Sequence, residues 1–220
     1  MQLFLLIGQS NMAGRGKVST NEAALHSRIF MLNKEMQWTP AKDPLHFDKP
    51  IAGVGLASEF ARVLAKADTN QVIGLIPAAM GGSSLDEWKP GSKLYNQAVE
   101  RSREAMKAGE LAGILWHQGE ADSSADKVAT YGRRFSAMIE QLRNDLGAKT
   151  VPVIVGELGR FREASHSFNQ ALPSIVQQVP SCVLVTAESL TDNGDKLHFD
   201  TSSLKEFGQR YAAAFLGFKS

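Results

Sequence analysis

The chain has 220 residues, 43% of them apolar and 21% charged, with a formal net charge of +1. That balance describes one folded domain with an ordinary core, and it lacks the basic footprint of a nucleic-acid binder. Cys182 is the single cysteine, so neither an internal disulfide nor a cysteine zinc site is available.

Leu3–Ile7 (LFLLI) opens the chain as a continuous apolar run. It is shorter than the ~7–15 residue core of a signal peptide, and no basic stretch precedes it. No segment reaches the ~18 apolar residues of a membrane span. The expectation is a soluble cytoplasmic protein, with a removed leader left open. Residues 15–52 carry Trp38, Pro40, Pro44 and Pro50 and read as a long surface excursion, the kind of loop that forms lids or substrate walls. Leu56, Phe60, Val63 and Leu64 then recur at helical spacing. Further apolar runs follow at Val72–Ala78, Ala112–His117, Val151–Gly156 and Cys182–Thr186. Between them lie helical stripes from Tyr95 to Met106, from Phe168 to Val179 and, most regular, through Tyr131, Phe135, Met138, Ile139, Leu142 and Leu146. Ser203 and Glu206 form a capping-box pattern opening a last helix through Tyr211 and Phe215. Continuous apolar runs suit strands buried on both faces. Their alternation with helices predicts one domain over residues 1–220, an α/β/α sandwich around a parallel five-stranded sheet.

Ligands of such sheets collect beyond the carboxyl ends of the strands. After the runs come Gly8-Gln9-Ser10-Asn11, then Met80-Gly81-Gly82-Ser83, then His117-Gln118-Gly119-Glu120, then Gly156-Glu157-Leu158-Gly159-Arg160, and finally Asp195-Lys196-Leu197-His198. A serine hydroxyl attacks only with a base in hydrogen-bond reach and a third group orienting that base. His198 is the candidate base. Its D-x-x-H spacing lets Asp195 reach one ring nitrogen while the other faces Ser10. A tetrahedral intermediate also needs donors. The candidates are the Ser10 N–H, the N–H of Gly82 or Gly81, and the Gln118 side-chain amide.

GQSNMAG, GGSSLDEW, WHQGEAD and DKLHFD, in that order, resemble the SGNH hydrolase superfamily. Within it, the chain is similar to the sialate O-acetylesterase and acetyl-xylan esterase branch of carbohydrate esterases. The resemblance runs from the first strand to the last helix. It implies a flavodoxin-like three-layer fold and ester hydrolysis without metal or other cofactor. It also implies Ser10 as nucleophile, His198 as base, Asp195 as its partner and Gly82 in the oxyanion hole. GQS stands where the wider superfamily carries a GDS-type block, and Gln118 stands where it uses an asparagine donor.

Each of these residues has a plainer reading. Ser10 suits a helix cap, and Asp195 a turn brace. Glu120 competes with Asp195 for His198, or it pins Gln118, binds an arginine or caps the next helix. Trp88 is core or a sugar-stacking wall. Arg160 binds an anionic substrate group or forms a surface ion pair. Gln9, Asn11 and Gly81 are placed as supporting or substrate-binding residues. His117 packs beside Trp116, while His26, His46 and His166 lack metal-ligand spacing. The expected function is O-acetyl ester hydrolysis on a sugar, of sialic acid or xylan type. The partner is then a small-molecule or oligosaccharide acetyl ester, not nucleic acid or membrane. The alternatives are a lipase- or thioesterase-like hydrolase of other acyl esters and a non-catalytic carbohydrate-binding relative.

Overall fold

A computed structural model describes residues 1–19 and 23–218. Its strands are β1 (Gln2–Gly8), β2 (Ile29–Leu32), β3 (Trp38–Pro40), β4 (Ile73–Pro77), β5 (Glu110–His117), β6 (Val153–Gly156) and β7 (Cys182–Val185). They form one sheet in the order β3-β2-β4-β1-β5-β6-β7. Every neighbouring pair is parallel except β2–β3. The five apolar runs are the contiguous block β4-β1-β5-β6-β7. The sheet has seven strands rather than five, because the excursion over residues 15–52 contributes β2 and β3 at one edge. Neither is long enough to show a pattern, and β3 ends in Pro40, a residue that suits an edge strand. Residues 20–22 of that excursion lie outside the described residues.

The helices are α1 (Ser10–Ala13), α2 (Leu56–Ala67), α3 (Lys93–Ala105), α4 (Ala125–Asp145), α5 (His166–Gln177) and α6 (Thr201–Gly217). Two cores result, one on each face of the sheet. Leu3, Leu5 and Ile7 of β1 join α3, α4 and α5 in one. Phe4 and Leu6 join α1, α2 and α6 in the other. That is why β1 reads as an unbroken apolar run. Phe4 meets Phe60 and Phe215 edge-on, with centroids 4.9 and 5.0 Å away, and so ties β1 to α2 and α6. α6 begins earlier than its capping-box pattern predicts. Asp200 is the cap, accepting the Ser203 N–H at 2.7 Å, while Ser203 Oγ accepts the Thr191 N–H at 2.8 Å. Among the described residues, no helix is long and apolar enough to cross a membrane.

Candidate active site

The carboxyl ends of β1, β4 and β5 meet the loop before α6, and there the sequence candidates converge. β1 ends at Gly8, whose φ is +132°. A Cβ at that position would lie 2.0 Å from the His117 carbonyl oxygen, so only glycine lets the two strand ends come this close. The Gln9 N–H then donates to that carbonyl at 2.8 Å. Gln9 takes the cap position of α1, and Ser10 is the first helical residue. The Ser10 hydroxyl lies 3.0 Å from His198 Nε2.

His198 is held by a short loop rather than by a strand. Asp195 Oδ2 lies 2.6 Å from His198 Nδ1. The other oxygen, Oδ1, accepts the backbone N–H groups of Leu197 and His198, both at 2.8 Å. Burial pushes the Asp195 carboxyl up, but the hydrogen bonds from His198 and Leu197 outweigh it and hold the group below its ordinary value. Asn11 clamps the same loop from the Ser10 side. Its Nδ2 donates to the Leu197 carbonyl at 3.2 Å and its Oδ1 accepts the Phe199 N–H at 3.1 Å, so it grips the backbone on both sides of His198. Asn11 also donates to Glu120 Oε1 at 2.6 Å. Glu120 is thus the anchor of Asn11, and the acid beside the histidine ring is Asp195.

The turn after β4 supplies the other wall. Gly82 has a φ of +83°, a conformation that favours glycine. Among the described residues, neither the Ser10 N–H nor the Gly82 N–H meets a protein acceptor. Gly81 differs. Its N–H donates to Asp48 Oδ2 at 2.9 Å, and Asp48 is held by Arg15 at 2.7 Å. Gly82 is therefore the glycine with a donor to spare.

The reading of Gln118 needs correction, and the contacts of Trp88, Arg160 and Glu120 select among the alternatives open for each. Gln118 donates from Nε2 to the Ser83 carbonyl at 3.1 Å and to Asp122 Oδ2 at 2.6 Å, while its Oε1 accepts the Tyr131 hydroxyl at 2.7 Å. Both amide hydrogens are spent, so it is a brace of the turn and not a free oxyanion donor. Asp122 completes that brace by accepting the Leu85 N–H at 2.8 Å. Trp88 is 1% exposed and stands edge-on to Trp116, with its Nε1–H on Ser83 Oγ at 2.9 Å. It is core, not a sugar wall. Arg160 chelates Glu157 at 3.0 and 3.1 Å, the ion-pair outcome. Glu120, as described, is not the partner of His198. Gln9 does support the site, its Oε1 accepting the Gly119 and Ala121 N–H groups at 3.4 Å.

The sequence offered no signal for Lys49. Its Nζ lies 3.8 Å from where a Cβ on Gly82 would sit, so an exposed ammonium stands against the Gly81–Gly82 turn. Nothing in the spacing of residues 15–52 marks it, or the Arg15–Asp48 pair that fixes its neighbour. His117 packs between the edges of Phe199 and Phe207. Among the described residues, no group of three or more His, Cys, Asp or Glu side chains is placed to hold a metal ion.

Comparison with known proteins decides the family. The profile described as carbohydrate esterase, sialic acid-specific acetylesterase matches residues 1–217. The chain belongs to this carbohydrate esterase family. It is 33% identical to a probable carbohydrate esterase of Arabidopsis thaliana over 243 aligned positions, covering 98% of this chain and 90% of the relative. The solved structure of that Arabidopsis protein superimposes with a TM-score of 0.88 at 30% identity, covering 98% of each chain. NanS matches with a TM-score of 0.79 at 19% identity, over 99% of this chain and 97% of its own. XAC1771, a carbohydrate acetylesterase from Xanthomonas citri, matches at 0.73 and 20% identity, over 97% of this esterase but 55% of its own chain. The shared fold is a sandwich of helices around a mostly parallel sheet.

Proposed function

We propose that this family member is a carbohydrate O-acetylesterase working through an acyl-enzyme on Ser10. The observation that carries the reading is the continuous hydrogen-bonded chain from Ser10 Oγ through the His198 ring to Asp195. Its three members have the roles that chain demands. As Ser10 Oγ attacks the acetyl carbonyl carbon, His198 Nε2 takes the hydroxyl proton. Asp195 keeps the ring in the right tautomer and stabilises the imidazolium. The developing oxyanion meets the Ser10 and Gly82 N–H groups, two backbone donors that need no reorganisation. Collapse breaks the ester C–O bond, and the sugar oxygen leaves with the proton from His198. Water, activated by the same imidazole, then attacks the acyl-serine and acetate departs.

Within the family, the Lys49 ammonium beside Gly82 favours an acidic acetylated sugar, sialic acid before a neutral xylan fragment. Replacement Ser10→Ala tests the mechanism. Turnover of an aryl acetate should fall by ~10⁵–10⁶, as in other nucleophile knockouts. Near-normal turnover by the folded variant rejects it. Acetate release from acetylated sialic acid and acetylated xylo-oligosaccharides, with Ser10→Ala as blank, ranks the substrates. Esters of longer acyl chains test the lipase-like alternative. A fluorophosphonate that leaves Ser10 unlabelled would indicate a binding relative.

A further inference from the structure

A cavity of about 340 Å³ lies beside the oxyanion turn, within the ~300–1,000 Å³ range of small-molecule sites. Part of its wall is Ala78–Met80, the backbone that leads from β4 into Gly81 and Gly82. Asp48 also borders it, and the same carboxylate accepts the Gly81 N–H at 2.9 Å. The cavity and the oxyanion turn therefore share a wall.

The cavity's polar groups are left wanting. His46 is 3% exposed, and neither of its ring nitrogens makes a hydrogen bond of good geometry, although the Leu6 carbonyl is close enough to act on the ring. Unpaired polar atoms this deep are rare, and each calls for an explanation. Burial pulls the ring's pKa down to about 4, so near neutrality it is uncharged; with its N–H toward the Leu6 carbonyl, its other nitrogen is left as an acceptor. Arg101 stands close by. Its Nε and Nη2 are taken by the carbonyls of Pro77, Leu32 and Asn33, but Nη1 meets only the Met36 sulfur at 3.6 Å, a weak acceptor. Its guanidinium lies 4.9 Å from the centroid of Phe47, whose ring is 41% exposed at the cavity. Lys34 and Gln97 also line the cavity. An imidazole acceptor, an underused guanidinium and an exposed aromatic face together match a ring with one apolar face and hydroxyls around its edge.

We propose that this cavity is a saccharide subsite for a second sugar ring, beyond the ring that carries the acetyl group, with His46 and Arg101 Nη1 bonding its hydroxyls and Phe47 packing on its face. The inference rests on the saccharide reading of the Ser10 site, because it takes the occupant to be part of the same substrate. It also gives the chain a reason to favour oligosaccharide esters over monosaccharide esters.

The test separates the two. In Ser10→Ala protein carrying ¹⁵N-histidine, sialyllactose and xylotriose, both free of O-acetyl groups, are titrated while the His46 ring nitrogens are followed by NMR. At least one of these saccharides should shift them, and the additional change His46→Phe should abolish its binding. Phe47 is exposed enough to replace without loss of the fold. Phe47→Ala in the active enzyme should lower, about tenfold, the ratio of kcat/KM for an acetylated oligosaccharide to that for an aryl acetate. No shift with either saccharide overturns the subsite even if the esterase reading stands. A shift produced by inorganic phosphate alone assigns the cavity to a free anion and also overturns it. Saccharide binding at His46 in a protein that releases no acetate rejects the esterase reading and keeps the site.

Discussion

Ser10 and His198 meet across 3.0 Å, but they arrive there by different means. Ser10 is delivered by the sheet. It follows a strand buried on both faces, its turn is pinned to the end of β5 through Gly8 and Gln9, and it is 6% exposed. His198 is delivered by a loop whose order is local. Asp192 Oδ2 accepts the Gly194 and Lys196 N–H groups, the Asn193 N–H donates to the His198 carbonyl, and the Asp195 side chain is 44% exposed. Among the described residues, only Asn11 and the Ser10 hydroxyl bond this loop to the turn that carries Ser10. The position of Ser10 is thus a property of the core. The position of His198 depends on a few side chains, so, on the proposed mechanism, single substitutions away from the reacting atoms should tell mainly on His198.

Breaking the base side at its acid should have the larger effect. Asp195→Asn keeps the size of the side chain and an oxygen for the loop N–H groups, but it loses the charge that holds the imidazole and its imidazolium. A drop of about 10⁴ in kcat is expected, measured on an aryl acetate with the fold checked by circular dichroism. A drop below tenfold would make Asp195 a turn brace and nothing more. Asn11→Ala tests the link between the two sides. It leaves Ser10, His198 and Asp195 intact but frees the backbone on both sides of His198. Misplacement of the base on the scale of an ångström predicts a loss of ~10², falling on kcat more than on KM. Asn11→Asp should do no better, because the new carboxylate would face Glu120 Oε1 where the amide now sits at 2.6 Å. Full activity in Asn11→Ala would show that the loop keeps its own shape.

The same contrast explains what was legible in the sequence. The five central strands are readable because burial on both faces leaves unbroken apolar runs. β2 and β3 are not, since four- and three-residue edge strands are too short to carry a pattern. Ser10, Asp195 and His198 can be named because strand ends and a three-residue offset within one loop are sequence features. The commitments of Gln118 are not sequence features. Its partners come from the turn at Ser83, from Asp122 and from Tyr131 of α4, so only packing shows that the amide is spent. Trp88 looks alike in sequence whether it faces a sugar or, as here, Trp116. Lys49 and Asp48 reach the Gly81–Gly82 turn from a segment without periodicity, through contacts across more than thirty residues of chain.

Acid should separate the two sides by a smaller margin. The nucleophile's turn, Gln9 to Asn11, carries no titrating side chain. The base side depends on carboxylates. Burial raises the Asp200 carboxyl, but bonds from Ser203, Thr191 and Ser202 outweigh it and hold the group at about 2, and Asp195 is likewise held below its ordinary value. A carboxyl whose pKa is lower folded than unfolded contributes stability in full above the unfolded value of ~3.9 and loses it as pH falls through the folded one. The loop and the start of α6 should therefore weaken between pH ~4 and ~2. Asp200→Asn keeps a capping oxygen but does not titrate. After allowance for solvent screening, it should remove about 1 kcal/mol of the stability difference between pH 5 and pH 2, read from thermal unfolding at the two values. An unchanged difference would place the acid-sensitive contacts outside this loop and would make its order less dependent on carboxylates than its hydrogen bonds indicate.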